Sequence, residues 1–150
     1  VLFTGTTDLI IDPKQRLSIP AKHRDQVGRE QVVWFCVPWP GVGLRLYVEE
    51  TFMSLSERGV ESLTPGPEEG DLESTLFGLA ERLEMDAQGR VALPKNLIEL
   101  VGLRNAEVVI VGVRNRLEVR DRAAWKAGLP ERFAKMAELV QRVESKRQGN

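Results

Sequence analysis

Residues 10–28 read IIDPKQRLSIPAKHRDQVG, and residues 84–102 read EMDAQGRVALPKNLIELVG. Aligned without a gap, Asp12, Arg16, Pro20, Val27 and Gly28 coincide with Asp86, Arg90, Pro94, Val101 and Gly102. Between these identities, Ile11/Met85, Leu17/Val91, Ile19/Leu93 and Asp25/Glu99 keep their physical type. A turn acid, a basic residue, a proline and a glycine recur in one order, and each has a structural task. The chain therefore reads as two copies of one small unit.

The same local events follow in each copy. A short apolar strand, Leu9–Ile11 or Leu83–Met85, runs into an Asp-headed turn. An alternating strand follows, Arg16–Ile19 or Arg90–Leu93, and proline then opens a helix that Gly28 or Gly102 closes. The β-branched runs Val32–Val37 and Val108–Val113 predict strands buried on both faces. Leu44, Leu46 and Val48 alternate with Arg45, Tyr47 and Glu49, the period-two pattern of a half-buried strand. Leu117 and Val119 alternate in the same way with Arg116, Glu118 and Arg120, so Arg114, Arg116 and Arg120 read as a solvated strand face.

Helices are predicted from about Glu50 to Ser62, around Leu72 to Leu79, and from about Arg122 to Lys146 with a kink or break at Pro130. Phe133, Met136, Val140 and Val143 place an apolar stripe along the last helix, to pack on the chain's own core or on a neighbouring subunit. Thr64-Pro65-Gly66-Pro67 is the clearest linker, and it suggests units spanning 1–76 and 77–150. Each copy is too small to hold a comfortable core alone, and each has exposed strand edges. The expected fold is therefore α+β, with two interleaved β units forming an intramolecular pseudo-dimer and helices flanking them.

Composition narrows the function. With 42% hydrophobic and 29% charged residues, the 150-residue chain has globular values, and no apolar run reaches transmembrane length. The start, Val1-Leu2-Phe3-Thr4-Gly5, lacks the regions of a signal peptide. Cys36 is the only cysteine and lies in an apolar run, which reads as a packing thiol in a reducing compartment. Lys and Arg number 21 against 22 Asp and Glu, so any nucleic-acid contact must come from a local cluster of cations. His23, the only histidine, sits between Lys22 and Arg24 and reads as a surface or interface residue. One histidine and one cysteine give no zinc-ligand spacing, and Gly41-x-Gly43 lacks the rest of a phosphate-binding fingerprint. No enzyme activity, metal or cofactor is expected.

From Phe3 to about Trp125 the chain resembles the MraZ family, bacterial proteins built of two SpoVT/AbrB-type swapped-hairpin domains. The resemblance is carried by Phe3 and Gly5, by Asp-x-x-x-Arg-x-x-x-Pro in both halves, and by Val111-Gly112-Val113-Arg114-Asn115-Arg116-Leu117-Glu118 followed by Trp125. It implies tandem AbrB-like swapped-hairpin units and a regulator of the division and cell-wall gene cluster. It also implies double-stranded DNA, at direct repeats upstream of the operon, as a partner. The other implied partner is the chain itself, in a closed ring homo-oligomer, with a cytoplasmic, nucleoid-associated location and no membrane.

Lys14 and Arg16 match the family's basic motif, Arg90 is the counterpart in the second copy, and Arg24 matches a further family arginine that could touch DNA or bridge subunits. A β-ribbon bearing such residues beside a tight turn can enter a major groove, with Lys as a point charge and Arg as a bidentate donor. Asp12 is expected to bracket the turn by accepting backbone N–H bonds. The family's first turn reads Asp-x-Lys-Gly-Arg. Gln15 replaces that glycine here, at a cost on the order of 1 kcal/mol if the position needs positive φ. The second copy keeps Gly89 but has Gln88 in place of lysine, and Thr4 stands where a basic residue is usual. This thinning of basic character motivates the alternative, an oligomeric scaffold of the same fold with weak or lost operator binding.

Overall fold

The computed structural model describes residues 1–28, 30–58, 62–103 and 105–149. The first copy contributes β1 (Thr6–Ile10), β2 (Arg16–Ser18), α1 (Ala21–Val27), β3 (Val33–Trp39), β4 (Gly43–Val48) and α2 (Glu49–Ser56). Next come α3 (Pro67–Leu79), β5 (Glu81–Glu84), β6 (Arg90–Ala92), α4 (Lys95–Leu100), β7 (Glu107–Val113), β8 (Arg116–Asp121) and α5 (Arg122–Gln148). Pro20 and Pro94 sit at the N-caps of α1 and α4, one step before the first helical residue. Gly28 and Gly102 follow these helices with φ of 94° and 76°, a conformation that costs an L side chain energy but not glycine.

The hairpins β3–β4 and β7–β8 each pair within one copy, and the pairings β1–β7, β3–β5, β4–β8 and β2–β6 join the two copies. Six strands form one antiparallel sheet in the order β1-β7-β8-β4-β3-β5, and β2 pairs with β6 as a separate ribbon. β1 lies on β7 of the other copy, with Thr6 opposite Val111, and β5 lies on β3, with Val33 opposite Glu84. Just beyond these strands, Ile11 N–H donates to Ala106 and Met85 N–H donates to Val32, at 2.8 and 2.9 Å, again across copies. Each copy's first strand thus covers an edge of the other copy's hairpin.

The ribbon and α1 and α4 close one face of the sheet over a single core. Leu17 and Val91 are cross-strand partners in the ribbon, and both are fully buried among Trp34, Leu44, Leu46, Ile110 and Leu117. Cys36 lies in this core as well, where burial, with the Glu81 charge, pushes its thiol up to about 12. His23 is 1% exposed, so the surface or interface expectation is overturned. Its ring stands edge-on to Phe3 with centroids 5.4 Å apart, and among the described residues neither ring nitrogen has a hydrogen-bond partner. α1 turns this position inward because Lys22, Asp25 and Gln26 occupy its wet face.

The outer face is also partly covered, by one aromatic cluster. Phe52 of α2 stacks on Phe35 at 4.5 Å, and Phe77 of α3 meets Phe52 edge-on. α2 ends at Ser56, short of the expected Ser62, and residues 59–61 of that expectation lie outside the described residues. α3 is longer than expected, because Pro67 fits its first turn.

The solvated-face reading of Arg116 and Arg120 is likewise corrected. Glu118 between them is 3% exposed and accepts from Arg116 Nε at 3.0 Å and from Arg120 Nη2 at 2.7 Å, with Arg45 Nε at 3.5 Å. Burial opposes ionisation of Glu118, but the Arg120 and Arg116 hydrogen bonds and charges outweigh it and lower the pKa. Arg114 remains exposed, at φ 58° in the β7–β8 turn.

α5 is one continuous helix through Pro130, neither broken nor folded back. Asp121 caps it by accepting from Ala124 N–H at 2.8 Å. Arg122 donates to Leu9 O, and Lys126 pairs with Asp8 at 2.7 Å, which ties only the first turns to the sheet. The stripe further on is exposed, so it does not pack on the chain's own core.

Two outcomes follow from the shared core. Leu17→Ala should cost about 2–5 kcal/mol, read from denaturant unfolding, because the cavity opens between copies where neither can relax alone. Burial, then the Lys22 charge, lower the His23 pKa from 6.5, so its contribution to stability is full above 6.5 and declines as pH falls below it. Thermal melts of His23→Phe should show a weaker loss between pH 7 and 5 than the parent chain; an identical loss would assign that dependence to other groups.

Candidate nucleic-acid interface

Each Asp-headed turn is built by one carboxylate reaching back along its own chain. Asp12 Oδ1 accepts from the amides of Lys14 and Arg16 at 2.9 and 2.8 Å, and Oδ2 accepts from Arg16 Nε at 2.7 Å. Asp86 repeats this with the amides of Gln88 and Arg90, both at 2.9 Å, and with Arg90 Nε at 2.9 Å. The Arg16 and Arg90 backbone amides, aided by the arginine side chains, hold the two carboxyls below their ordinary 3.8. Asp12 thus brackets the turn as expected. The ion pair is partly exposed and serves to orient the arginine more than to stabilise the fold.

Only Nε of each guanidinium is engaged in this way. Among the described residues, neither terminal nitrogen of Arg16 or Arg90 makes a hydrogen bond, and the side chains keep 32% and 26% exposure. In the ribbon, Arg16 opposes Ala92 and Ser18 opposes Arg90. Strand alternation therefore puts Arg16 and Arg90 on one face, with Leu17 and Val91 on the other, in the core. Two residues far apart in sequence become neighbours on one two-stranded ribbon.

Lys14 and Arg24 flank this pair at opposite turns. Lys14 is exposed in the Asp12 turn. Arg24 comes from α1 of the first copy yet lies over the turn of the second. A Cβ on Gly89 would meet Arg24 Nη1 at 2.6 Å and Nε at 2.8 Å. The equivalent position in α4 is Ile98, which lines a hollow with Asp12, Pro13 and Gln15. The two turns thus reach one further cation each by different routes: Lys14 within the first, and Arg24 from across the ribbon where Gln88 replaces lysine. Sequence reading places Arg24 near Lys14 along the chain; only the exchange of copies carries it to the other turn.

The turn geometry also accounts for the Gln15/Gly89 difference. Gln15 adopts φ 59° and Gly89 φ 79°, so both positions require the left-handed region, and the cost anticipated for Gln15 applies. The Gln15 carbonyl accepts from Leu93 N–H at 2.8 Å, and the Gly89 carbonyl accepts from Ile19 N–H at 2.9 Å. These bonds across copies hold both turns in place. Gly89→Ala should destabilise by on the order of 1–2 kcal/mol through φ alone and displace Arg24 as well. Thermal unfolding checks the first effect; a shift in the Arg24 Nε–Hε NMR resonance checks the second.

Among the described residues, no cluster of His, Cys, Asp or Glu could hold a metal ion, and no helix is long and apolar enough to cross a membrane. Fold and site together define a class: a duplicated β unit whose paired turns present arginines on one ribbon. The MraZ protein family model, whose description is antitoxin-like, matches residues 76–143. A protein of Chromobacterium violaceum named transcriptional regulator MraZ is 34% identical over 93% of this chain and 95% of its own length. Proteins of the same name from Parvibaculum lavamentivorans and Nitrosomonas europaea are 38% and 31% identical, each over 83% of this chain and 79% and 84% of their own lengths. The chain belongs to the MraZ family, whose named members are transcriptional regulators and not enzymes.

Proposed function

We propose that this protein is a sequence-specific DNA-binding transcriptional regulator, acting on the division and cell-wall gene cluster from repeated elements upstream of its operon. In this reading, residues 1–76 and 77–150 are tandem AbrB-like swapped-hairpin units. The chain closes into a ring homo-oligomer in the cytoplasm, associated with the nucleoid. One observation carries the proposal: Arg16 and Arg90 share the outer face of the β2–β6 ribbon with their terminal nitrogens unused among the described residues, and Lys14 and Arg24 stand at its two turns.

A two-stranded ribbon fits a major groove, and arginines held at Nε by Asp12 and Asp86 can offer their terminal nitrogens to phosphate or guanine. Pre-orientation by the carboxylates limits the side-chain entropy lost on binding. Lys14, Arg16, Arg24 and Arg90 against Asp12, Asp86 and the neighbouring Asp25 leave a small local excess of positive charge despite a chain charge of −1. One ribbon alone is a weak reader, and several on a ring can sum their contacts on evenly spaced repeats.

A salt titration of binding to the chain's own upstream DNA and to random duplex tests this reading. Affinity for the upstream DNA should fall steeply on a log–log plot and exceed that for random sequence. Arg16→Ala should weaken binding sharply and lower the salt slope by about one per contacting ribbon, with the oligomer unchanged. Equal weak binding to both DNAs would favour the scaffold reading, which the substitution of Gln88 for lysine motivates.

A further inference from the structure

The outer face of the β2–β6 ribbon carries two residues besides its arginines, and these differ between the copies. Arg16 stands opposite Ala92, and Ser18 stands opposite Arg90. Alternation sends Leu17 and Val91 into the core, so the other residues of both strands point outward. Ser18 and Ala92 are both exposed, and among the described residues the Ser18 hydroxyl has no hydrogen-bond partner. Each arginine is drawn back toward its own turn by the carboxylate that holds its Nε, Asp12 for Arg16 and Asp86 for Arg90. The surface beside each guanidinium is therefore lined by a short side chain. Short side chains let the strand backbone come close to whatever the ribbon meets, whereas long ones would hold it off.

We propose that Ser18 and Ala92 are specificity-determining residues of this ribbon, Ser18 reading a hydrogen-bonding base edge and Ala92 a thymine methyl group. The inference rests on the DNA-binding reading above and assigns the base-reading task within it. Phosphate contacts position a protein on a duplex, while contacts to base edges select the sequence. In the major groove a serine hydroxyl donates to or accepts from a base edge, and an alanine methyl packs on the C5 methyl of thymine. Cross-strand neighbours have Cβ atoms about 5 Å apart, so each short residue meets the base pair of the arginine opposite it or the next one. The arginines are identical in the two copies and by themselves would read both ends of the ribbon alike. At the base edges Ser18 and Ala92 break that equivalence: the Arg90 end reads a polar group and the Arg16 end an apolar one.

The test uses the full chain and its upstream DNA, prepared as duplexes with each base pair changed singly and as duplexes with single thymines replaced by deoxyuridine. Deoxyuridine lacks only the methyl group, so at the thymine beneath Ala92 the parent chain should lose about fourfold in affinity, the worth of one buried methyl. Ala92→Gly should bind the thymine and deoxyuridine duplexes equally. Ser18→Ala should flatten the base preference at one position of the site and leave the other positions as they were. Ser18→Ala combined with Ala92→Ser should exchange the preferences of the two ends. Both positions are exposed, and thermal melts matching the parent's identify the folded variants. An unchanged preference in these variants, with the parent still selecting its upstream DNA over random duplex, would overturn the assignment and leave the DNA-binding reading standing. Equal affinity of the parent for thymine and deoxyuridine at every position would overturn the role of Ala92 without any variant. No selection by the parent for its upstream DNA would sink both readings.

Discussion

The exchange of strands between the two copies is the constraint on which the rest of the molecule depends. β1 completes the β7–β8 hairpin and β5 completes the β3–β4 hairpin, so neither half has a finished sheet without the other. The ribbon repeats the exchange on a smaller scale. Leu17 and Val91 enter one core from two copies, and the Gln15 and Gly89 carbonyls accept bonds from the opposite copy. Burying one face of the ribbon fixes its register, since a one-residue slip would send the two arginines into the core.

Carrying both copies in one chain frees them to differ, and the structure uses that freedom. Arg45 and Glu118 occupy equivalent places in the two hairpins and face each other where β4 meets β8. Two identical chains would bring like residues together at such an axis, whereas here a buried carboxylate meets three arginines. Arg45 and Arg120 also lie over Trp39 and Trp125, at 4.2 and 5.2 Å from the ring centroids. The same divergence separates the turns: Lys14 belongs to one, while Gly89 lets Arg24 lie over the other.

Much of the fold was legible because its signals are local. The Asp turns, the helix boundaries at Pro20, Pro94, Gly28 and Gly102, and the alternating strands all follow from contacts within a few residues. The burial of His23 and Glu118 was not legible, because their sequence neighbours are charged. Each lies inward only through the packing of elements from elsewhere in the chain. The candidate site was half legible: its residues could be chosen, but not their arrangement around one ribbon.

By itself, the sequence determined that two similar units exist, where each turns, and which residues carry charge beside each turn. A carboxylate that reaches amides two and four residues ahead needs no distant partner. Tertiary structure alone decided that Arg16 and Arg90 share a face, that Arg24 serves the opposite turn, and that the stripe on α5 stays uncovered. Those outcomes depend on which strand of one copy pairs with which strand of the other. Such pairing is set by the summed burial of a shared core, which no local stretch of residues contains.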